Sequence, residues 1–264
     1  MPDSLTFIGN ATTIIRLGGF TLLTDPNFLH RGQRAYLGKG LWTRRLTDPA
    51  CSIADLPPLN AIVLSHLHGD HFDRVARAEL DREPPLITTP AAAQRLQRYG
   101  FRTHGLESWT EHRLELGTEQ LTVHAVPGFH ARGLLGMVLP PVMGSVLEHR
   151  TADGQTRRIL ISGDTLTGDH VDEIRERFGH FDTAIVHLGG TRVLMHTVTM
   201  DAVQGVDYLQ RARPGQVIPV HYDDYRVFRS PLADFEALFD RSSPRETGMT
   251  LTKAARGQTV DLLP

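Results

Sequence analysis

The chain has one cysteine, Cys51, in 264 residues, so it can build no internal disulfide framework and suits a reducing compartment. Lysine is nearly missing: only Lys39 and Lys253 stand among 28 cations. That imbalance fits planar recognition of anions by arginine, and a nucleotide bias of the source genome explains it as well. No apolar run reaches the roughly 18 residues of a membrane span, and MPDSLTFIGN lacks a basic stretch followed by an apolar one. Neither a span nor a signal peptide is expected, and the cytoplasm is the expected location. Surplus positive charge is also absent. A formal net charge of -2 argues against a broad nucleic-acid footprint, which draws its affinity from neutralised phosphates.

What remains is an ordinary globular composition, 40% hydrophobic and 22% charged, long enough to bury a large core. One domain over residues 1–264 is expected. Apolar runs at 5–8, 12–17 and 20–24, parted by Gly9-Asn10 and Gly18-Gly19, predict an antiparallel meander. Residues 25–49 are rich in glycine, arginine and aromatics without clear periodicity and read as a long loop, a kind that is often functional. Strands are predicted at 61–65 and 86–89, then a helix opened by Pro90 and closed by Gly100. Two strands flank Gly117-Thr118, and a hairpin joins 145–148 to 158–162. Helices at 169–178 and 200–211 each lead into an apolar strand, at 183–186 and 217–220. Strands first and then alternating strand and helix describe a layered α/β sandwich; no internal repeat is visible.

The chemistry is concentrated in His66-Leu67-His68-Gly69-Asp70-His71, three imidazoles and a carboxylate within six residues that follow a predicted strand. Fourteen histidines are a rich supply, yet chance produces this spacing in only about one chain in several hundred. In a turn after a strand, alternate side chains diverge toward two neighbouring positions. Imidazole nitrogen and carboxylate oxygen are donors that zinc, manganese and iron accept, with zinc the commonest tetrahedral guest.

The run resembles the His-x-His-x-Asp-His signature of the metallo-β-lactamase superfamily. The resemblance implies a four-layer αβ/βα sandwich and further ligands that the chain supplies in order: His130 in Val126-Pro-Gly-Phe-His, Asp164 in Ser162-Gly-Asp-Thr, and His221 in Val217-Ile-Pro-Val-His. It implies that His66, His68 and His130 hold one metal, that Asp70, His71 and His221 hold a second, and that Asp164 touches both. Cys51 precedes the cluster, unlike the ligand of the cysteine-using zinc β-lactamases, and His68 stands where the diiron oxygen reductases have glutamate. Within the superfamily the chain is most similar to the ascorbate-6-phosphate lactonases and the phospholipase D that cleaves N-acyl phosphatidylethanolamines. That likeness rests on Leu23-Thr24-Asp25-Pro26, Gly163-Asp164-Thr165 and the histidine in Met195-His196-Thr-Val-Thr-Met.

The implied reaction is hydrolysis by a hydroxide shared between two divalent ions about 3.5 Å apart, zinc first and manganese or iron next. Asp70 and Asp164 pass the proton, and His196 stabilises an oxyanion, unless it is only a helix-end histidine with a local hydrogen bond. The substrate is a small molecule, anionic or lipid-like. A phosphodiester is favoured; opening of a lactone, phosphorylated or not, is the alternative, and a non-catalytic metal-binding protein of the same fold is a third reading. Arg31, Arg34, Lys39, Arg44 and Arg45 either line the pocket or form a solvated loop, and the apolar stretch 134–147 is either pocket wall or core. His187 is read as a satisfied buried histidine, and Tyr222, Asp223 and Asp224 as groups that hydrogen-bond metal-bound histidines. Metal identity and oligomeric state are not legible.

Overall fold

The computed structural model describes residues 2–130, 141–151, 153–193, 196–242 and 247–263, apart from the side chains of 193 and 196. Of the stretch 134–147, residues 134–140 lie outside the described residues.

The first strands are β1 (Ser4–Gly9), β2 (Thr12–Leu17) and β3 (Phe20–Thr24), the predicted meander. After β4 (Arg34–Gly38) and β5 (Leu41–Arg44) come β6 (Ala61–Val63), α1 (Arg74–Glu79), β7 (Leu86–Thr88), α2 (Pro90–Gln97) and β8 (Thr103–Gly105). Next are β9 (Glu111–Leu116), β10 (Glu119–Gly128), β11 (Val142–Arg150), β12 (Thr156–Ile161), α3 (Asp169–Phe178) and β13 (Thr183–His187). The chain continues through β14 (Arg192–Val193), β15 (His196–Thr197), α4 (Ala202–Ala212), β16 (Gln216–Val220), α5 (Leu232–Arg241), β17 (Thr250–Leu251) and β18 (Thr259–Asp261).

Two seven-stranded sheets run β18-β1-β2-β3-β6-β7-β8 and β17-β16-β13-β12-β11-β10-β9. Both follow one plan, antiparallel along β18-β1-β2-β3 and β9-β10-β11-β12, then parallel along β3-β6-β7-β8 and β12-β13-β16-β17. The sequence displays no repeat, but the topology does. Side chains alternate across each sheet. Ile15, Val63, Ile159 and Ile218 enter the core between the sheets. Their neighbours Ile14, Ile62, Leu160 and Val217 face outward instead, under α1 and α2 on one sheet and α3, α4 and α5 on the other. This is the four-layer αβ/βα sandwich expected. Met143 and Leu147 belong to the inner core and Val146 to the outer one, so this part of the apolar stretch is core.

Helix starts carry local signals: Thr89 accepts from Ala92 N ahead of Pro90, Asp73 from Ala76 N and Asp201 from Gln204 N. The stretch 25–49 is not the unstructured loop expected. It folds into the β4–β5 hairpin, with Lys39 at φ 50° and Gly40 at φ 81° in its turn. The hairpin is stitched down on two sides. Gly69 N donates to Tyr36 O at 2.8 Å, and Leu46 N to Asp224 O at 2.8 Å. A Cβ on Gly69 would lie 2.7 Å from Tyr36 N, so the glycine inside the histidine motif is required by this close approach.

Asp224 is also a correction, because its carboxylate accepts from Asn10 N (2.6 Å), Arg256 Nη2 (3.0 Å), Arg45 Nη2 (3.4 Å) and Thr47 Oγ1, and from no histidine among the described residues. Asp224 and Arg45 are both fully buried. Removing one partner strands the other charge, so Asp224→Ala is expected to cost about 3–5 kcal/mol in urea unfolding; a loss below about 1 kcal/mol would contradict this account.

Candidate metal centre

The parallel halves of both sheets end at one edge, and the turns leaving β3, β6, β12, β13 and β16 carry Asp25, His66 to His71, Asp164, His187 and His221 to it. His66, His68 and His130 offer ligand atoms within 4.8 Å of one another, as do His66, His71 and Asp164, and Asp70, His71 and His221. All seven residues predicted from the sequence are therefore brought together. Except for His68, each is buried. The side chain of His196 lies outside the described residues. Its segment nevertheless borders the cluster, since Val198 O accepts from His130 Nδ1 (3.1 Å) and Thr199 Oγ1 donates to Asp164 Oδ2 (3.1 Å).

Four imidazoles are oriented by their outward nitrogen, while His68 Nδ1 contacts His66 Nε2 at 2.8 Å. His221 Nδ1 donates to Leu188 O at 3.0 Å, His71 Nδ1 to Asp25 Oδ2 at 3.1 Å, and His66 Nδ1 contacts Ser65 Oγ at 3.0 Å. Inward, Nε2 of His71, His130 and His221 and Oδ1 of Asp70 and Asp164 are buried without hydrogen-bond partners among the described residues. Stranding so many polar atoms would be costly unless something binds them. Nitrogen and oxygen donors converging in this way, with the far nitrogens of His66, His71, His130 and His221 in hydrogen-bond contact, fit divalent metal ions.

The protonation pattern supports this. Burial drives His66 well below the usual imidazole range and His68 down to about 4. Burial would lower His71 as well, but the carboxylates of Asp164, Asp25 and Asp70 raise it well above that range; Asp164 and Asp70 likewise raise His221. Burial would push Asp164 and Asp70 up, yet His221 and His71 hold both below the usual carboxylate range. Protons on His71 and His221 thus balance the buried carboxylates where a cation would otherwise do so.

Asp25 was visible in the sequence only as part of Leu-Thr-Asp-Pro. It accepts from Ser65 N (2.7 Å), Ser65 Oγ (2.9 Å), His71 and His187 Nε2 (3.3 Å); burial would raise it, but His71 and His187 hold it at about 2. His187 is buried and partnered, as expected: its backbone N donates to Ser162 Oγ at 2.9 Å. Asn10 gave no signal beyond its turn. It stands at φ 55°, donates from Nδ2 to Asp70 O at 2.6 Å and accepts from His221 N at 2.8 Å, fastening two ligand turns together.

A family model described as a beta-lactamase superfamily domain matches residues 21–222. The chain belongs to the metallo-β-lactamase superfamily and is a metal-dependent hydrolase of that superfamily. It is similar to a UPF0173 metal-dependent hydrolase of Desulfitobacterium hafniense, 28% identical over 235 residues that cover 82% of this chain and 90% of the other. It is also similar to N-acyl-phosphatidylethanolamine-hydrolyzing phospholipase D 1 of Caenorhabditis elegans, 27% identical over 241 residues, 83% of this chain and 64% of that protein. Among solved structures, a possible metal-dependent hydrolase from Veillonella parvula shares the fold with a TM-score of 0.81 at 22% identity, over 99% of this chain and 100% of that one.

Because His71 and His221 are raised, protons compete with a metal for their inward nitrogens. Metal uptake is expected to weaken as pH falls below neutrality and to release protons at pH 7, measured by titration calorimetry in buffers of different ionisation enthalpy. Asp25→Ala should weaken metal binding about 10–100-fold in a chelator competition, with circular dichroism unchanged; undiminished affinity would remove Asp25 from the site.

Proposed function

We propose that the chain is a binuclear hydrolase of phosphodiesters. In this reading His66, His68 and His130 would hold one divalent ion, Asp70, His71 and His221 would hold a second, and Asp164 would serve both. Zinc suits the imidazole-rich set best, with manganese or iron as substitutes. When bound, such ions supply a nucleophile from water near neutral pH and polarise the oxygen of the electrophile. The chain's part is to keep the carboxylates ionised and all the donors fixed. Asp70 and Asp164 are assigned to accept or pass the proton, and Thr199 Oγ1 steadies Asp164 Oδ2. His196 is assigned to charge on the substrate's oxygen because its segment supports both His130 and Asp164.

The observation that carries the choice of substrate is a cavity of about 400 Å³ beside His68. Arg74, Arg77 and Arg95 line it together with Phe72 and Tyr99. Its one carboxylate, Asp73, is committed to the backbone of Leu29 (2.7 Å) and Ala76 (2.8 Å). Guanidinium groups next to aromatic rings suit an anionic ester with an apolar substituent better than a neutral lactone. A phosphorylated lactone would suit the same walls and is the second reading. The family model and the identity to the nematode phospholipase are compatible with either.

Metal-analysed protein should hydrolyse bis(p-nitrophenyl) phosphate and leave γ-butyrolactone intact, and Asp164→Ala should lower diester turnover by about a thousandfold or more. Lactone opening without diester turnover would transfer the chain to the lactonase reading.

A further inference from the structure

Several arginines of this chain, Arg45, Arg113, Arg157, Arg158, Arg211 and Arg256, each meet a carboxylate. Arg34, Arg44, Arg226 and Arg229 meet none among the described residues, although they lie close together. Their placement follows from strand register. Arg34 and Arg44 are direct cross-strand partners in the β4–β5 hairpin. Beside them Arg45 forms a bridge with Tyr225, and Arg226 N donates to Arg44 O at 3.2 Å, so Arg226 extends the row on a third chain segment. Like charges directly opposed across strands repel.

The four arginines, with Trp42, line a cavity of about 460 Å³ that has no acidic residue in its wall. It is distinct from the cavity beside His68 but adjoins it, since Arg34 and Trp42 border both. A phosphate group presents several acceptor edges to forked donors, whereas a planar carboxylate presents one such edge and a neutral sugar no charge. We propose that this cavity binds a phosphate group, one separate from the group hydrolysed at the metal centre. The phosphate is carried by a soluble phosphate ester or by a lipid headgroup whose other end reaches His68. Its attachment to a substrate rests on the phosphodiesterase reading; the anion site itself does not.

The test compares metal-loaded wild type, the double variant Arg44→Gln/Arg226→Gln, and Arg98→Gln as an exposed control outside both cavities. Inorganic phosphate binding is measured calorimetrically at low ionic strength, and co-sedimentation is measured with phosphatidylcholine vesicles containing phosphatidic acid. The expected result is about a tenfold or greater loss of affinity in the double variant for at least one probe, at equal metal content and with Arg98→Gln unchanged. Loss with inorganic phosphate identifies a soluble ligand, and loss with vesicles alone identifies a headgroup. Equal binding by wild type and double variant, or no binding of either probe by wild type, overturns the site. Turnover is not part of the readout. A protein inactive on phosphodiesters that shows the difference would retain this site and lose the phosphodiesterase reading, and an active protein without it would do the reverse.

Discussion

Three carboxylates buried at one edge of a sandwich are the constraint around which this molecule is arranged. Asp25, Asp70 and Asp164 are each at most 5% exposed, and an unpaired buried carboxylate would neutralise itself or open the fold. Here all three are held ionised by the imidazoles around them. His71 is the pivot, because its Nδ1 donates to Asp25 Oδ2 while its Nε2 lies 3.3 Å from Asp164 Oδ2. The same interactions that make burial of the charges tolerable leave inward donors that only a cation can satisfy together.

The two sheets supply this edge by repetition. In each, the change from antiparallel to parallel pairing occurs at a strand, β3 or β12, that is followed closely by an aspartate, Asp25 or Asp164. Parallel strands that follow send every carboxyl end the same way, which is why successive turns meet. The turns are then locked from outside. Asn10 ties Asp70 to His221, and Asp224 ties Asn10 to the hairpin through Arg45. His221 stands at φ 62°, a conformation uncommon for a side chain of its size, and its backbone is held there by Asn10 O.

Much of this was legible locally. Helix 169–178 and strands 12–17 and 20–24 were read at their observed bounds because periodicity and flanking glycines agree there. The β4–β5 hairpin escaped because its large apolar side chains, Tyr36, Leu41 and Trp42, are exposed while its buried face holds only the small Ala35 and Thr43, so no apolar period marks the strands. Strand β18 escaped for a similar reason, being a short edge strand whose partner β1 is at the opposite end of the chain. Tyr222 to Asp224 were read as support for the histidines from adjacency alone, but after the turn at His221 the Asp224 carboxylate accepts from Arg45, Arg256 and Asn10.

The sequence by itself determined the chemistry of the donors and their position at strand ends, since both are written in short motifs whose meaning needs no distant partner. It also carried the superfamily, because His-x-His-x-Asp-His and the later ligands keep their order along the chain. Only the tertiary structure decided which nitrogen of each histidine faces inward, since that depends on acceptors from other turns, such as Leu188 O, Val198 O and Asp25. It alone decided which arginines remain unpaired. Charge pairing is a property of register between segments far apart in sequence, and composition counts every guanidinium alike.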